Sequence, residues 1–364
     1  MAPYTTIPLS PAELSYLHTS LSQSPPIRPD GRSPTQFRPL VAETDILPST
    51  NGSARICFPD GTEAIVGVKA EVEKSKQENN GSTADVHLKR DRRMEQQDEE
   101  MEDRDANEGK GREGWVELAI EIPGMRDDDA LPIFLSAMLT EALLADQGLK
   151  DALYINTRFH WRLYIDILLL SLPLSYPLPL LSQTTHLALL STRLPALISE
   201  QDEDPLFNDD WEASTYLYPK SKPSQTAQRK PPITLLVMAV GDTILFDPSA
   251  DELAVADAVV ALSVTQSTAG LKLIALRTID PPSRLTSGGI PNALNTTPVA
   301  AGAQQTALSS NEALKLREND QGRSVWRPPR GGIKRVVLSR MIKAVIEEGG
   351  VGGEVMEGLA NVET

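Results

Sequence analysis

From Ser53 to Val72 the sequence alternates apolar and polar residues in two runs, separated by Pro59-Asp60-Gly61. Ala54, Ile56 and Phe58 share one face of the first run. Ala64, Val66, Val68, Ala70 and Val72 share one face of the second. A period of two, broken by a Gly-containing tight turn, predicts an antiparallel hairpin covered on one side. The rest of the chain has to supply the covering layer.

Upstream, Ser10-Pro11-Ala12-Glu13 is a capping box with proline at the first helical position. Leu14, Leu17 and Leu21 recur on one side, which predicts an N-terminal helix within residues 10–24, ended by Pro25 and Pro26. Downstream, Lys74 to Arg112 holds almost no apolar residues and buries too little surface to offset the entropy of ordering it. A disordered insertion over about 74–113 is expected, and its mixed charges read as a tolerated loop extension rather than a partner-binding tail. Strand character resumes with Val116, Leu118, Ile120 and Ile122 after Trp115. Asp127, Asp128 and Asp129 then suit the start of a helix marked by Leu131, Phe134, Met138 and Leu143 and stopped at Gly148. Trp161 to Leu170 predicts a strand, and Leu181 to Arg193 a helix ended by Pro195. This first half, residues 28–197, is followed by an acidic loop and linker at 198–231.

A second half opens at 232–280, with strands Ile233 to Val240 and Thr243 to Phe246 joined at Gly241-Asp242. Ser249-Ala250-Asp251-Glu252 is a second capping box, expected to start a helix through Leu262, with a strand from Leu271 to Ile279. Hairpin, helix and strand in the same order as before make an internal structural repeat plausible. Residues 281–328 are poor in large apolar side chains and read as a second disordered insertion. Ile333, Val336, Val337, Met341 and Val345 space as a last helix within 329–348, and the Gly-rich end from Gly349 reads as frayed.

The formal net charge of −15 opposes long-range attraction of nucleic acid, so any RNA contact has to be local or shared with another subunit. Cys57 is the sole cysteine, which leaves no disulfide framework or thiolate zinc site and favours a reducing compartment. Met1 to Leu9 does not read as a signal peptide. Leu163 to Leu181 is the greasiest segment, but Asp166, Pro173, Pro177 and Pro179 make it a buried strand plus loop rather than a membrane span.

Three motifs in order, Arg28-Pro29-Asp30-Gly31-Arg32, Gly52-Ser53-Ala54-Arg55 and Gly67-Val68-Lys69-Ala70-Glu71, resemble the N-terminal half of an RNase PH-type domain. Glu43-Thr44-Asp45-Ile46, the run Leu163 to Leu170, and Phe246-Asp247-Pro248 through Glu252 resemble the RNase PH-like core subunits of the eukaryotic RNA exosome. The resemblance runs from about Arg28 to Ile279. It implies an α+β fold with two related ββαβα halves, like the second domain of ribosomal protein S5. It also implies a hetero-hexameric ring of RNase PH-like subunits in unlike pairs, covered by S1- and KH-domain cap subunits, with RNA passing through the shared pore. In that family the eukaryotic ring members generally do not cleave; an associated hydrolytic nuclease does. Work in the nucleus, including the nucleolus, and in the cytoplasm is implied, with no cofactor and no membrane.

Phosphorolysis needs backbone N–H groups at a helix start, with Arg and Ser or Thr, to hold phosphate. It also needs an acid for the leaving oxygen. Active relatives carry a Gly-Gly-Thr-Arg-like element after the strand that matches Trp161 to Leu170. Here that place reads Ser171-Leu172-Pro173-Leu174-Ser175-Tyr176-Pro177-Leu178-Pro179, with no arginine before Arg193. The candidate acids Asp209, Asp210 and Glu212 lie in an acidic cluster. No catalytic residue is assigned, and a non-catalytic ring subunit is the leading reading. An active phosphate-dependent 3′-to-5′ exoribonuclease with a site shared across the subunit pair stays open, as does, more weakly, a small-molecule kinase on the same fold.

Arg158, His160 and Arg162, with Trp161 for stacking, form the best local basic group for RNA; strand-end charge or a subunit contact is the competing reading. Arg28, Asp30, Gly31 and Arg32 read as a structural turn in which Asp30 pairs locally and Gly31 takes a positive φ. Asp247 and Pro248 read as a turn and helix-start device. His18, His87 and His186 are scattered and give no metal site, and the Gly349 to Gly353 run lacks the strand-to-helix setting of a nucleotide loop.

Overall fold

The computed structural model of the chain describes residues 9–75, 113–126, 128–145, 147–171, 174–199, 203–218, 230–267, 270–281 and 332–362, with 283, 326 and 329. Most of each expected insertion, at 76–112 and 284–325, lies outside the described residues, as do linker residues 219–229.

Helix α1 (Pro11–Leu21) starts on its capping box: the Glu13 N–H donates to Ser10 Oγ at 3.3 Å and the Ser10 N–H donates to Glu13 Oε2 at 2.7 Å. Strands β1 (Val41–Thr44), β2 (Gly52–Cys57) and β3 (Glu63–Lys74) form an antiparallel meander. After β4 (Val116–Glu121), helices α2 (Ala130–Ala145) and α3 (Gln147–Ala152) carry the chain to β5 (Phe159–Leu169). Strand β5 inserts between β3 and β4, giving the order β1-β2-β3-β5-β4. The β4–β5 pair is parallel, the arrangement a helical crossover permits. Helix α4 (Leu178–Ser191) follows, then β6 (Arg193–Leu194) and β7 (Thr215–Tyr216), paired at the base of a long hairpin. The second sheet is antiparallel throughout. Its order is β11-β10-β8-β9, from β8 (Ile233–Val240), β9 (Thr243–Phe246), β10 (Ala258–Ser267) and β11 (Gly270–Ile279). A single turn, α5 (Ala250–Leu253), links β9 to β10, and α6 (Arg335–Ile346) and α7 (Val351–Ala360) close the chain.

Helix α4 lies between the two sheets, packed against β2, β3 and β8. A helix apolar on every side is stable only when covered on every side. Here Leu178, Leu181, Leu187, Ala188 and Leu189 are all fully buried. Its hydroxyls are accommodated by bonding back along the helix: Thr184 Oγ1 donates to the Leu180 carbonyl at 2.8 Å and Thr185 Oγ1 to that of Leu181 at 2.7 Å. Strand β8 is buried along its whole length and apolar except for Thr234, because both of its faces are covered. Ile233, Leu235, Val237 and Ala239 join the main core, whereas Leu236, Met238 and Val240 meet α1 in a second one.

The architecture is the expected α+β one, with corrections in detail. The segment from Ala258 to Leu262 is strand, not helix: the capping box shapes only the single turn α5, and the buried run Val259-Val260-Ala261-Leu262 pairs on both sides in the sheet. The chain does not fray at Gly349, because α7 follows. Ala70 and Val72 extend past the covered part of β3 and are not buried. In α2, Leu135, Leu139 and Ala142 face the core with Met138 and Leu143, while Phe134 is exposed. No helix among the described residues is long and apolar enough to cross a membrane.

Candidate functional site

The strand-to-helix connection after β5 is the place that the resemblance matches to the phosphate-binding element of active relatives. At its start, Ser171 Oγ accepts from the Glu63 N–H at 3.0 Å, which ties the connection back to β3. Residues 172 and 173 lie outside the described set, and the chain then reaches α4 through exposed Leu174, Ser175 and half-buried Tyr176. Burial pushes the Tyr176 phenol up to about 12, so it stays neutral. Pro177 occupies the N-cap without a side-chain hydrogen bond, and its carbonyl accepts from the Leu181 N–H at 3.0 Å. Leu178, Pro179 and Leu180 of the first turn are buried. Pro179 contributes no N–H, and apolar contacts on all sides raise the cost of admitting an anion. A helix start of this kind contributes apolar side chains to the core, and Pro179 withholds one of the backbone donors an anion site would use.

The Arg28-to-Arg32 turn is built as a clasp. Gly31 has φ +75°, and Asp30 Oδ2 accepts from Arg32 Nε at 2.5 Å. Arg28 is fully buried, donating through Nε and Nη2 to the two carboxylate oxygens of Glu252 at 2.8 Å each. It also donates to the carbonyls of Phe246 and Asp247 at 3.0 Å. Glu252 Oε2 accepts in addition from the Ser249 N–H at 2.8 Å, so one carboxylate completes the capping box and binds Arg28. Asp247, at φ +46°, accepts from Arg32 Nη1 at 2.8 Å and from Arg38 Nη2 at 2.8 Å. Burial works to raise its pKa, but the hydrogen bonds and charge of Arg38, with the charge of Arg32, hold the carboxyl below the usual range. Pro248, buried, leads into the Ser249 cap. Arg38 was not singled out from sequence, and Glu252 was read only as part of a capping box. The pairing partners stand more than two hundred residues apart, and Glu252 already had a local explanation as a cap.

Arg158, just before β5, and His160 and Arg162, in its first residues, are each engaged with other groups. Arg162 donates to Glu73 and Glu117 at 2.9 Å each. His160 is buried and stacked on Trp115 with ring centroids 4.3 Å apart, and its Nδ1 lies 2.9 Å from Ser75 Oγ. Arg158 pairs with Asp204 at 3.1 Å. Trp161 is buried against Phe207, centroids 4.9 Å apart, so its face is not open to a base. Arg55 is likewise held by Glu63 and Glu43. Asp209, Asp210 and Glu212 are exposed around a short 3-10 turn, with Asp210 capping it. Among the described residues no group of His, Cys, Asp or Glu is placed to hold a metal ion.

Residues 36–195 match the family model described as the 3′ exoribonuclease family, domain 1. The chain is 32% identical over 255 residues to the exosome complex component RRP42 of Saccharomyces cerevisiae, covering 68% of this chain and 78% of that protein. It is 30% identical over 275 residues to the exosome complex component rrp42 of Schizosaccharomyces pombe, covering 71% and 79%. Among solved structures it shares its fold with a chain of the Archaeoglobus fulgidus exosome with RNA bound to the active site, at 18% identity, 74% and 87% coverage and a TM-score of 0.50. By its sequence kinship to the two fungal proteins, with the matching exoribonuclease-family domain, the chain belongs to the Rrp42 family of RNase PH-like exosome components.

Proposed function

We propose that this chain is a non-catalytic ring subunit of an exosome. It pairs with another RNase PH-like subunit to complete an RNA-threading pore for 3′-to-5′ processing and decay, beneath S1- and KH-domain caps, in nucleus, nucleolus and cytoplasm. The observation that carries the absence of catalysis is the start of α4, where Pro177, Leu178, Pro179 and Leu180 occupy the place of an anion cradle. Kinship to exosome components supports the ring role. Exposed Ile133 and Phe134 on α2 support a subunit that is incomplete alone.

The test is to purify the co-expressed pair, incubate it with RNA and inorganic phosphate, and separate the products. No phosphate-dependent release of nucleoside diphosphates is expected. Such release, lost on substitution of Arg193 in this chain, would establish the active reading with a shared site instead.

A further inference from the structure

The two arms of the hairpin between β6 and β7 are firmly seated through their described residues, 195–199 and 203–214. Beyond the β6–β7 pair, the Asn208 N–H donates to the Ala196 carbonyl at 2.9 Å and the Ile198 N–H to that of Leu206 at 2.8 Å. Phe207 packs on Trp161, Asn156 Nδ2 donates to the Glu203 carbonyl at 3.0 Å, and the Leu217 N–H to that of Thr192 at 2.9 Å. Such anchoring fixes what the hairpin displays.

It displays apolar surface. Leu197, Ile198, Leu206 and Trp211 are 46%, 55%, 62% and 48% exposed. Leu197 stands opposite Phe207 and Ile198 opposite Leu206 across the hairpin, and four large exposed apolar side chains on one short arm exceed the scattered single exposures normal for a soluble surface. Tryptophan is the residue type most enriched among energetically dominant interface anchors. Around them Glu203, Asp204, Asp209, Asp210 and Glu212 are all exposed. The two features together restrict the occupant. Carboxylates repel a phosphate backbone or an anionic lipid surface. A second copy of the same hairpin would bring like charges together, which disfavours it.

We propose that the surface carrying Ile198, Leu206 and Trp211, with Asp209, Asp210 and Glu212 around it, is a docking site for a basic protein surface with an apolar groove that seats Trp211, on a neighbour within the assembly proposed above, so that this assignment rests on that reading. The carboxylates orient the encounter, and the apolar side chains supply the contact area.

The full chain is co-expressed with the other ring and cap proteins, with p-benzoylphenylalanine replacing Trp211 or, separately, Ile198. Irradiation is expected to join these positions to a ring or cap peptide carrying clustered Lys or Arg. Asp209→Lys with Asp210→Lys is expected to lower recovery of that protein roughly tenfold, while leaving the other ring proteins at equal stoichiometry. Reversing the captured cations to Glu restores it, which separates lost charge pairing from misfolding of the arm. Crosslinks to RNA, to a second copy of this chain or to a peptide without cations, or an intact ring without crosslinks, overturn the docking site alone. A ring that never assembles around the unsubstituted chain overturns the ring reading and this assignment with it.

Discussion

Arg28 and Glu252 stand 224 residues apart in sequence and meet as a two-pronged ion pair, both side chains wholly shielded from solvent. A buried pair returns little net stability over an apolar pair, but removing one partner strands the other. Arg28→Ala and Glu252→Gln are each expected to lose about 3–5 kcal/mol in denaturant unfolding of the co-expressed complex. Arg28→Lys should lose nearly as much, because an ammonium cannot fork to both oxygens and also reach the carbonyls of Phe246 and Asp247. The double substitution Arg28→Met, Glu252→Leu should recover much of the loss. A double-mutant cycle with no coupling would show that the pair does not clasp the two halves.

Asp247 gives the clasp a pH dependence of known sign. Its folded pKa is depressed chiefly by Arg38, so the unfolded state binds its proton first as pH falls. The stabilisation is complete above the unfolded value, near 4, and is lost as pH drops through the lower folded value. Asp247→Asn, which tolerates the same left-handed backbone, should be less stable at neutral pH and show a shallower acid transition. Equal acid midpoints for the two proteins would remove Asp247 from this account.

His186 acts in a different window. It is fully buried on α4, its Nδ1–H donates to the Pro231 carbonyl at 2.8 Å, and its Nε2 has no hydrogen-bond partner. Burial, reinforced by Lys230, pushes its pKa down to about 4. Between about 6.5 and about 4 the unfolded chain holds the proton and the folded chain does not. Stability therefore declines as pH is lowered across that interval, by about 3 kcal/mol in all. Melting curves from pH 7 to pH 4 should show the slope, and His186→Leu should flatten it. An unchanged slope would assign the acid sensitivity elsewhere.

What could be read from the chain was local. The β2–β3 hairpin announced itself because one covered face imposes a period of two, and both capping boxes did because their bonds span three residues. The run of prolines and leucines from Ser171 to Pro179 was legible for the same reason, and in the structure Leu178, Pro179 and Leu180 form the buried first turn of α4. The clasp was not, since neither Arg28 nor Glu252 carries a mark of its distant partner. Strand β10 was mistaken for helix because a short apolar run buried on both faces has no period to read. Helix α7 was missed because its glycines lower helix propensity. Gly352 is nevertheless suited to its place, where a Cβ would come within 2.7 Å of the Val345 carbonyl oxygen of α6. The exposed side chains of the 193–216 hairpin were hidden because only the acidic residues stood out in the sequence.

Gly52 and Gly67 belong to neighbouring motifs, yet they should respond differently to substitution. A Cβ on Gly52 would lie 2.5 Å from Thr192 Cα and 2.6 Å from Thr192 N. That backbone cannot easily yield: the Arg193 N–H donates to the Asn51 carbonyl at 2.8 Å, and the Ser53 N–H donates to Ser191 Oγ at 3.1 Å. Gly52→Ala must therefore push the end of α4 away from β2, an overpacking expected to cost about 1–3 kcal/mol. At Gly67 the nearest atoms to a new Cβ are the side-chain carbons Leu47 Cδ1 and Thr50 Cγ2 at 3.4 Å. Gly67→Ala is therefore expected to be near neutral, with the methyl gained in contact offsetting any small shift. Thermal melting of the two variants in the co-expressed complex compares them directly. Equal losses would mean that the close approach of α4 to β2 does not set the requirement for glycine at position 52.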